Sequence, residues 1–237
     1  MVSLRSLRTR DRRPELMDQP GLDSGLHRRA LRGLGRINRV SGTARHFWPA
    51  IEQLSNRLAG RPVRVLDVAC GGGDVAIALS EIARRRGVAV EVRGCDLSPT
   101  ALGYARESAD RRAAEVGFFE HDVLENRLPE CDAIVCSLFL HHLSDSQAMK
   151  FLGALRNSAG RVVQVSDLIR SPLGYAFAMI GCRLLTRSKI VRTDGPRSVA
   201  AAFTVREAGT LVEQSGLRGA AILRHFPERF HLTWSRS

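Results

Sequence analysis

The chain has 237 residues, of which 44% are hydrophobic, 25% charged and 5% aromatic. At ~150 residues per domain this is one or two globular domains able to bury about two thirds of their surface, which excludes global disorder, collagen-like repeats and a small disulfide scaffold. The net charge is +12, from 36 basic and 24 acidic residues, and all the basic residues except Lys150 and Lys189 are arginine. Residues 1–61 carry a balance of +8, residues 62–170 of −2 and residues 171–237 of +6. Basic flanks suit anionic partners (nucleic acid, acidic lipid headgroups, a carboxylated small molecule), and they serve solubility equally well. Five cysteines contain no C-x-x-C pair, so neither a zinc ribbon nor a redox motif is expected, and a reducing, cytoplasmic compartment fits. The arginine-rich start lacks the apolar segment of a secretory signal, and the uncharged stretch Ser171–Cys182 falls short of the ~20 residues of a membrane span.

Residues 1–24 are rich in Arg, Asp and Pro without apolar periodicity, which predicts a flexible basic tail. Residues 25–61 predict a helical cap. Leu26, Ala30, Leu34, Ile37 and Val40 fall at helical spacing, Ser41-Gly42 interrupts, and Phe47, Trp48, Ile51, Leu54 and Leu58 resume the period. From residue 62 the pattern alternates. Strands are predicted at 63–68, 88–96, 117–122, 131–136 and 161–166, with helices over 74–86, from Ser98-Pro99, and from the capping box Ser144/Gln147. A single helix over 172–190 lies in an insertion spanning 171–203. The capping box Thr204/Glu207 opens another helix, and strands over 217–226 and 229–234 form a closing hairpin. Strand–helix alternation implies a doubly wound α/β fold whose ligand lies beyond the carboxyl ends of its parallel strands.

The segment Val65-Leu66-Asp67-Val68-Ala69-Cys70-Gly71-Gly72-Gly73-Asp74 carries a strand into a glycine loop and then a helix. Gly71, Gly73 and Ala76 satisfy a dinucleotide spacing. Asp67 and Asp74 argue against a pyrophosphate there, because an anion wants that helix N-terminus free and positive. A ligand bearing an ammonium and a sulfonium is attracted instead, by about 4 kcal/mol gross per pair at ~4 Å and an effective dielectric of ~20. No G-K-[ST] follows, so a P-loop is excluded. Asp96, at the end of the second strand, suits ribose hydroxyls, and Asp122, at the end of the third, suits an adenine amino group.

Taken in order, VLDVACGGGDVAIALS, GCDLSPTAL, FFEHDVLE and CDAIVCSLFLHHLSD resemble the four motifs of class I S-adenosylmethionine-dependent methyltransferases, within the subgroup acting on quinone precursors and other small molecules. The resemblance implies a Rossmann-like seven-stranded, mainly parallel sheet with an antiparallel last strand, residues 62–237 forming the methyltransferase domain; the N-terminal helices and the 171–203 insertion flank the same sheet edge and are expected to form a lid on the acceptor site. It implies that Asp67 and the loop Ala69, Cys70, Gly71 and Gly73 hold the methionine part of S-adenosylmethionine. Asp96 would bind the ribose, Leu97 would pack on the adenine and Asp122 with Val123 would meet its edge, while Ser137 and Leu138 line the methionine side. The N-terminal helices and DGPRSVAAAFT also resemble bacterial methyltransferases from polyketide-type gene neighbourhoods, which favours a lipophilic, phenol-, quinone- or polyketide-like acceptor methylated on oxygen or carbon.

Alkylation of a hydroxyl benefits from a base, and histidine is tuned for neutral pH. His141 and His142 follow the fourth strand, where an acceptor lies, and are the candidate catalytic bases. A structural role in the loop is the alternative for each. His121, His225 and His231 are expected to be structural, and no metal-ligand spacing stands out. The basic flanks motivate an RNA or nucleic-acid methyltransferase as the alternative function. Cys136-Ser137-Leu138-Phe139 lacks the Pro-Pro-aromatic motif of exocyclic-amine methylation, so a small-molecule acceptor is preferred. The apolar-basic 172–190 helix can also rest on a membrane surface, although ordinary packing accounts for it more simply.

Overall fold

Glycine-punctuated, β-branched runs separated by amphipathic helices fold here into one seven-stranded sheet. The computed structural model describes residues 7–19, 21–58 and 60–236. The strands are β1 (Val63–Val68), β2 (Val90–Asp96), β3 (Val116–Glu120), β4 (Cys131–Ser137), β5 (Ala159–Leu168), β6 (Ala221–His225) and β7 (Arg229–Ser235), in the order β3-β2-β1-β4-β5-β7-β6. Neighbours from β3 through β5 pair in parallel, and β7 runs antiparallel between β5 and β6. This is the expected mainly parallel sheet with a reversed last strand.

Alternation along the strands divides the core in two. Leu66, Ile134, Val163 and Phe230 pack with Phe151, Leu155 and Leu211 from α5 (Asp145–Ser158) and α8 (Val205–Gln214). Val65, Val92 and Val135 pack on the other face with Phe47, Trp48, Ile51 and Leu79 from α2 (Thr43–Arg57) and α3 (Asp74–Arg86). Both predicted capping boxes form, at Ser144/Gln147 and Thr204/Glu207. Gly73 turns the loop into α3 with φ +71°. A Cβ there would stand 2.7 Å from Phe118 Cζ and 2.9 Å from Ala105 Cβ, so only glycine lets α3 settle against β3 and α4 (Pro99–Arg111).

The structure corrects several expectations. The predicted flexible tail is ordered over residues 7–19: the Asp11 amide donates to Ala200 O, and the Arg10 guanidinium reaches Ala201 O, Leu143 O and the Asp145 carboxylate. Leu16 and Met17 pack against the cluster of Ala30 and Val191, but two apolar residues among polar anchors make no period to reveal the strap. Residues 1–6 lie outside the described residues. The α1 helix (Ser24–Ser41) packs the predicted Ala30, Leu34 and Ile37 inward, buries Leu31 and Asn38 beside them, and leaves Leu26 and Val40 exposed, so the inner face is broader than predicted and shifted at its ends. The helix predicted over 172–190 is two, α6 (Pro172–Leu185) and α7 (Lys189–Ala201); Ser188 caps α7 through the Val191 amide, and the extended Thr186 ends α6. β3 stops at Glu120, which releases His121 and Asp122 from the sheet, and β6 starts only at Ala221.

Candidate functional site

The carboxyl ends of β1 to β4 open into a cleft of about 660 Å³ beside the glycine loop, closed from above by α1 and the strap. Ala69, with φ 54°, and Gly71, with φ 51°, curl the loop so that the Gly71 amide donates to Asp96 Oδ2 at 2.8 Å. Asp96 Oδ1 accepts from the Ser98 amide at 2.9 Å, which aims the carboxylate into the cleft with a second acceptor site remaining on each oxygen. Burial raises the Asp96 carboxyl against these two amides. Asp122 Oδ1 caps the following turn through the Leu124 and Glu125 amides.

The cleft brings together Ala69, Cys70, Gly71, Asp96, Leu97, Asp122, Val123, Ser137 and Leu138. Two predicted residues lie behind it. Gly73 faces Phe118, as described. Asp67, 1% exposed, sits beneath the loop, where its Oδ2 accepts from the Ala76 amide at 3.2 Å and its Oδ1 has no partner. Burial and then the charge of Asp74 raise the Asp67 carboxyl well above the usual range, and burial raises Asp74 as well, against a hydrogen bond from Asn38. A cation above the loop relieves both. The same preference runs through the whole cleft: Asp18, Asp74, Asp96 and Asp122 line it, and among the described residues no arginine or lysine does, in a protein of charge +12. Such a wall repels phosphates and selects a ligand with positive charge. The unpartnered Nε2 of His121, which lines the cleft, is open to a polar group of a bound nucleoside. His121 was expected to be structural; the early end of β3 turns it toward the cleft.

A second cavity of about 250 Å³, mostly apolar, adjoins the first and shares Met17, Leu34, Leu138 and His142 with it. The inserted helices α6 and α7 form much of its wall through residues such as Phe177, Cys182 and Val191.

The adjacent histidines have different fates. His141 is buried, its Nδ1 2.7 Å from Asp167 Oδ1 and its Nε2 3.5 Å from Glu15 Oε1. Burial alone would lower its pKa; the charge of Asp167 and then Glu15 overcome this and hold it up to about 10. Both of its ring nitrogens face carboxylates, which leaves neither free to take a proton from an acceptor. His142 is partly exposed at the junction of cleft and cavity, its Nδ1 3.3 Å from Asp18 Oδ2. That contact leaves Nε2 for a substrate proton. Glu15, His141 and His142 also form a cluster of metal-ligand type, but the first two already satisfy each other and Asp167.

Sequence reasoning missed Asp18 and Glu15, which sit in the segment predicted to be a tail, and Asn38, which lies on the broadened inner face of α1. A polar residue inside an otherwise amphipathic helix was the available signal for Asn38.

The comparisons agree with this geometry. Residues 65–159 match the family described as a methyltransferase domain. The chain is similar to the ubiquinone biosynthesis O-methyltransferase of Bordetella avium, with 31% identity over 176 residues, covering 71% of this chain and 69% of that enzyme. It is 35% identical over 139 residues to the enzyme of that name from Alkalilimnicola ehrlichii, covering 57% of this chain and 53%, about half, of that relative. Among solved structures, magnesium protoporphyrin IX methyltransferase from Synechocystis PCC 6803 with bound SAH shares the fold with a TM-score of 0.58 at 18% identity, over 91% of this chain and 100% of that one. With the seven-stranded sheet, the loop and its acids in place, the chain belongs to the class I S-adenosylmethionine-dependent methyltransferases.

Proposed function

We propose that the protein methylates an oxygen of a small, apolar, phenol- or quinol-like acceptor. The observation that carries this is the junction itself: a cleft lined by acids, and among the described residues by no arginine or lysine, meets an apolar cavity at His142. Asp96 would hold the ribose hydroxyls of S-adenosylmethionine, Leu97 and Val123 its adenine with Asp122 at the edge, and the Ala69–Gly72 loop with Asp74 its methionine part. When bound, this cofactor supplies an activated methyl on a sulfonium. The protein's own contribution is alignment and proton transfer. Leu34 and Leu138 press the acceptor toward the cleft. Asp18 orients His142 through Nδ1, and Nε2 takes the hydroxyl proton as the oxygen becomes a nucleophile. The names of the Bordetella and Alkalilimnicola relatives support a quinone-precursor acceptor. Incubation with methyl-labelled S-adenosylmethionine and a panel of alkylphenols and hydroquinones is expected to give label in solvent-extractable product. Label entering RNA instead would favour the nucleic-acid alternative.

Membrane contact belongs to the same proposal. Among the described residues no helix is long and apolar enough to cross a membrane. Leu173, Phe177, Ile180 and Leu184 nevertheless form an exposed stripe along α6, continued by Phe226 beside Phe177 and accompanied by exposed Arg183 and Arg187. Apolar side chains accompanied by arginine suit an anionic lipid surface, and α6 also walls the acceptor cavity. Flotation with vesicles containing phosphatidylglycerol should carry the protein, and Ile180→Glu with Leu184→Glu should release it. Equal recovery with and without vesicles would contradict this contact.

A further inference from the structure

Arg229, the first residue of β7, pairs with Leu168 at the carboxyl end of β5. Its side chain is 1% exposed. One terminal nitrogen donates to Asn38 Oδ1 and Thr43 Oγ1, both at 2.9 Å and both neutral, while Nε–H has no partner. A guanidinium removed from water normally finds a carboxylate, because burying its charge alone is costly. Here none lies within ion-pairing distance among the described residues. Burial lowers its pKa to about 10, helped back up by Asp167 and Asp74, so it remains charged at neutral pH.

Arg229 lines the apolar cavity and not the acid-lined cleft. The cavity's carboxylates are already satisfied. Glu15 accepts from Ser198 Oγ and faces His141, Asp194 accepts from the Leu16 and Met17 amides, and Glu228 accepts from Ser171 Oγ. Asp167, nearby, is taken by His141. Among the described residues the cavity wall is therefore mostly apolar, with a buried guanidinium that no carboxylate reaches within ion-pairing distance.

We propose that Arg229 binds a carboxylate within this cavity, so that the methyl acceptor is an apolar molecule carrying a carboxylate in addition to the group that is methylated. This rests on the assignment of the cavity to the acceptor. The other source of the same chemistry is the amino-acid carboxylate of the cofactor, since Asn38, which Arg229 holds, also lines the cleft.

The test is calorimetric, with SAH present throughout, and compares 4-butylbenzoate with its neutral counterpart 4-butylbenzamide. Wild-type protein is expected to bind the benzoate at least about tenfold more tightly, and Arg229→Gln to abolish the difference while keeping its affinity for SAH. The wild-type comparison needs no variant, so it decides the matter even where Arg229→Gln fails to fold. Equal affinity for the two probes, binding of neither, or a preference that persists in Arg229→Gln overturns the proposal. A tenfold loss of SAH affinity in a folded Arg229→Gln, with the preference for benzoate retained, overturns it in favour of the cofactor's carboxylate. Failure of wild-type protein to bind SAH is a separate outcome: it would contradict the cofactor assignment rather than the anion site, which the same probe pair then tests without SAH.

Discussion

His142→Ala is expected to lower kcat by about 10²- to 10⁴-fold, the range for loss of a positioned general base, and to leave SAH affinity unchanged. His142 stands at the only stretch of wall shared by the cleft and the apolar cavity among the described residues, together with Met17, Leu34 and Leu138. Those three side chains can align an acceptor, but none can take its proton. With Nδ1 toward Asp18, the free Nε2 is the atom that takes the acceptor's proton. Asp18→Asn should give a smaller loss, because it removes orientation and leaves the base. Stopped or steady-state assays with the best phenol from the labelling screen measure this directly. An unchanged kcat in His142→Ala would remove the base from the mechanism and leave alignment alone.

His141→Leu is expected to destabilise the fold by about 3–5 kcal/mol, the usual cost of removing one partner from a buried ionic network. The ring lies between Asp167 and Glu15, all three buried, and Asp167 also accepts from the His141 backbone amide at 3.0 Å. Without the imidazolium, two carboxylates remain inside the protein with no counter-charge. The pH dependence follows from the sign of the shift. A histidine whose pKa is raised from 6.5 to about 10 on folding contributes stability that is complete below pH 6.5 and is lost as pH rises through about 10. Asp167 and Glu15, both held below their ordinary values by His141 despite their burial, contribute in the opposite sense, above their unfolded pKa values. Urea unfolding of wild type and His141→Leu should therefore differ most near pH 6 and converge toward pH 10. A gap that is constant with pH would mean that His141 is neutral and packs only by shape. Because Glu15 anchors the strap, the variant should also become sensitive to proteolysis within residues 7–19.

Much of the cofactor side was legible in the sequence because it is local. The loop Ala69–Gly73 follows β1 directly, Asp96 ends β2, and Ser137-Leu138 ends β4, so strand–loop–helix punctuation alone brings them to one sheet edge. On the side assigned to the acceptor the sequence indicated which elements line the cavity, the N-terminal helix and the 171–203 insertion, but not the polar contacts that fix them. Glu15 meets Ser198 across 183 residues, Arg10 meets Asp145 across 135, and Arg229 meets Asn38 across 191. These are polar contacts between segments with no shared period, and a strap held largely by its backbone and arginines, with only Leu16 and Met17 packing inward, reads as a tail. Asp67 shows a subtler limit. Its position at the end of β1 was correct, but whether a carboxylate at a strand end points into a cleft or under a loop depends on the pleat and on the amide of Ala76 that captures it. The two histidines show the same limit, since one residue of displacement in a 3-10 turn, Leu140–His142, sends the first ring into the core and the second to the cavity mouth.

The central claim is an acid-lined cleft built for a cationic nucleoside, and calorimetric titration with S-adenosylmethionine and SAH tests it most directly. Wild-type protein should bind both with Kd on the order of micromolar. Asp96→Ala, verified as folded by its thermal transition, should lose at least about tenfold, the equivalent of one charge-assisted hydrogen bond of ~1.5 kcal/mol or more. A folded wild-type protein that binds neither ligand, or an Asp96→Ala that binds both as tightly as wild type, would contradict the account.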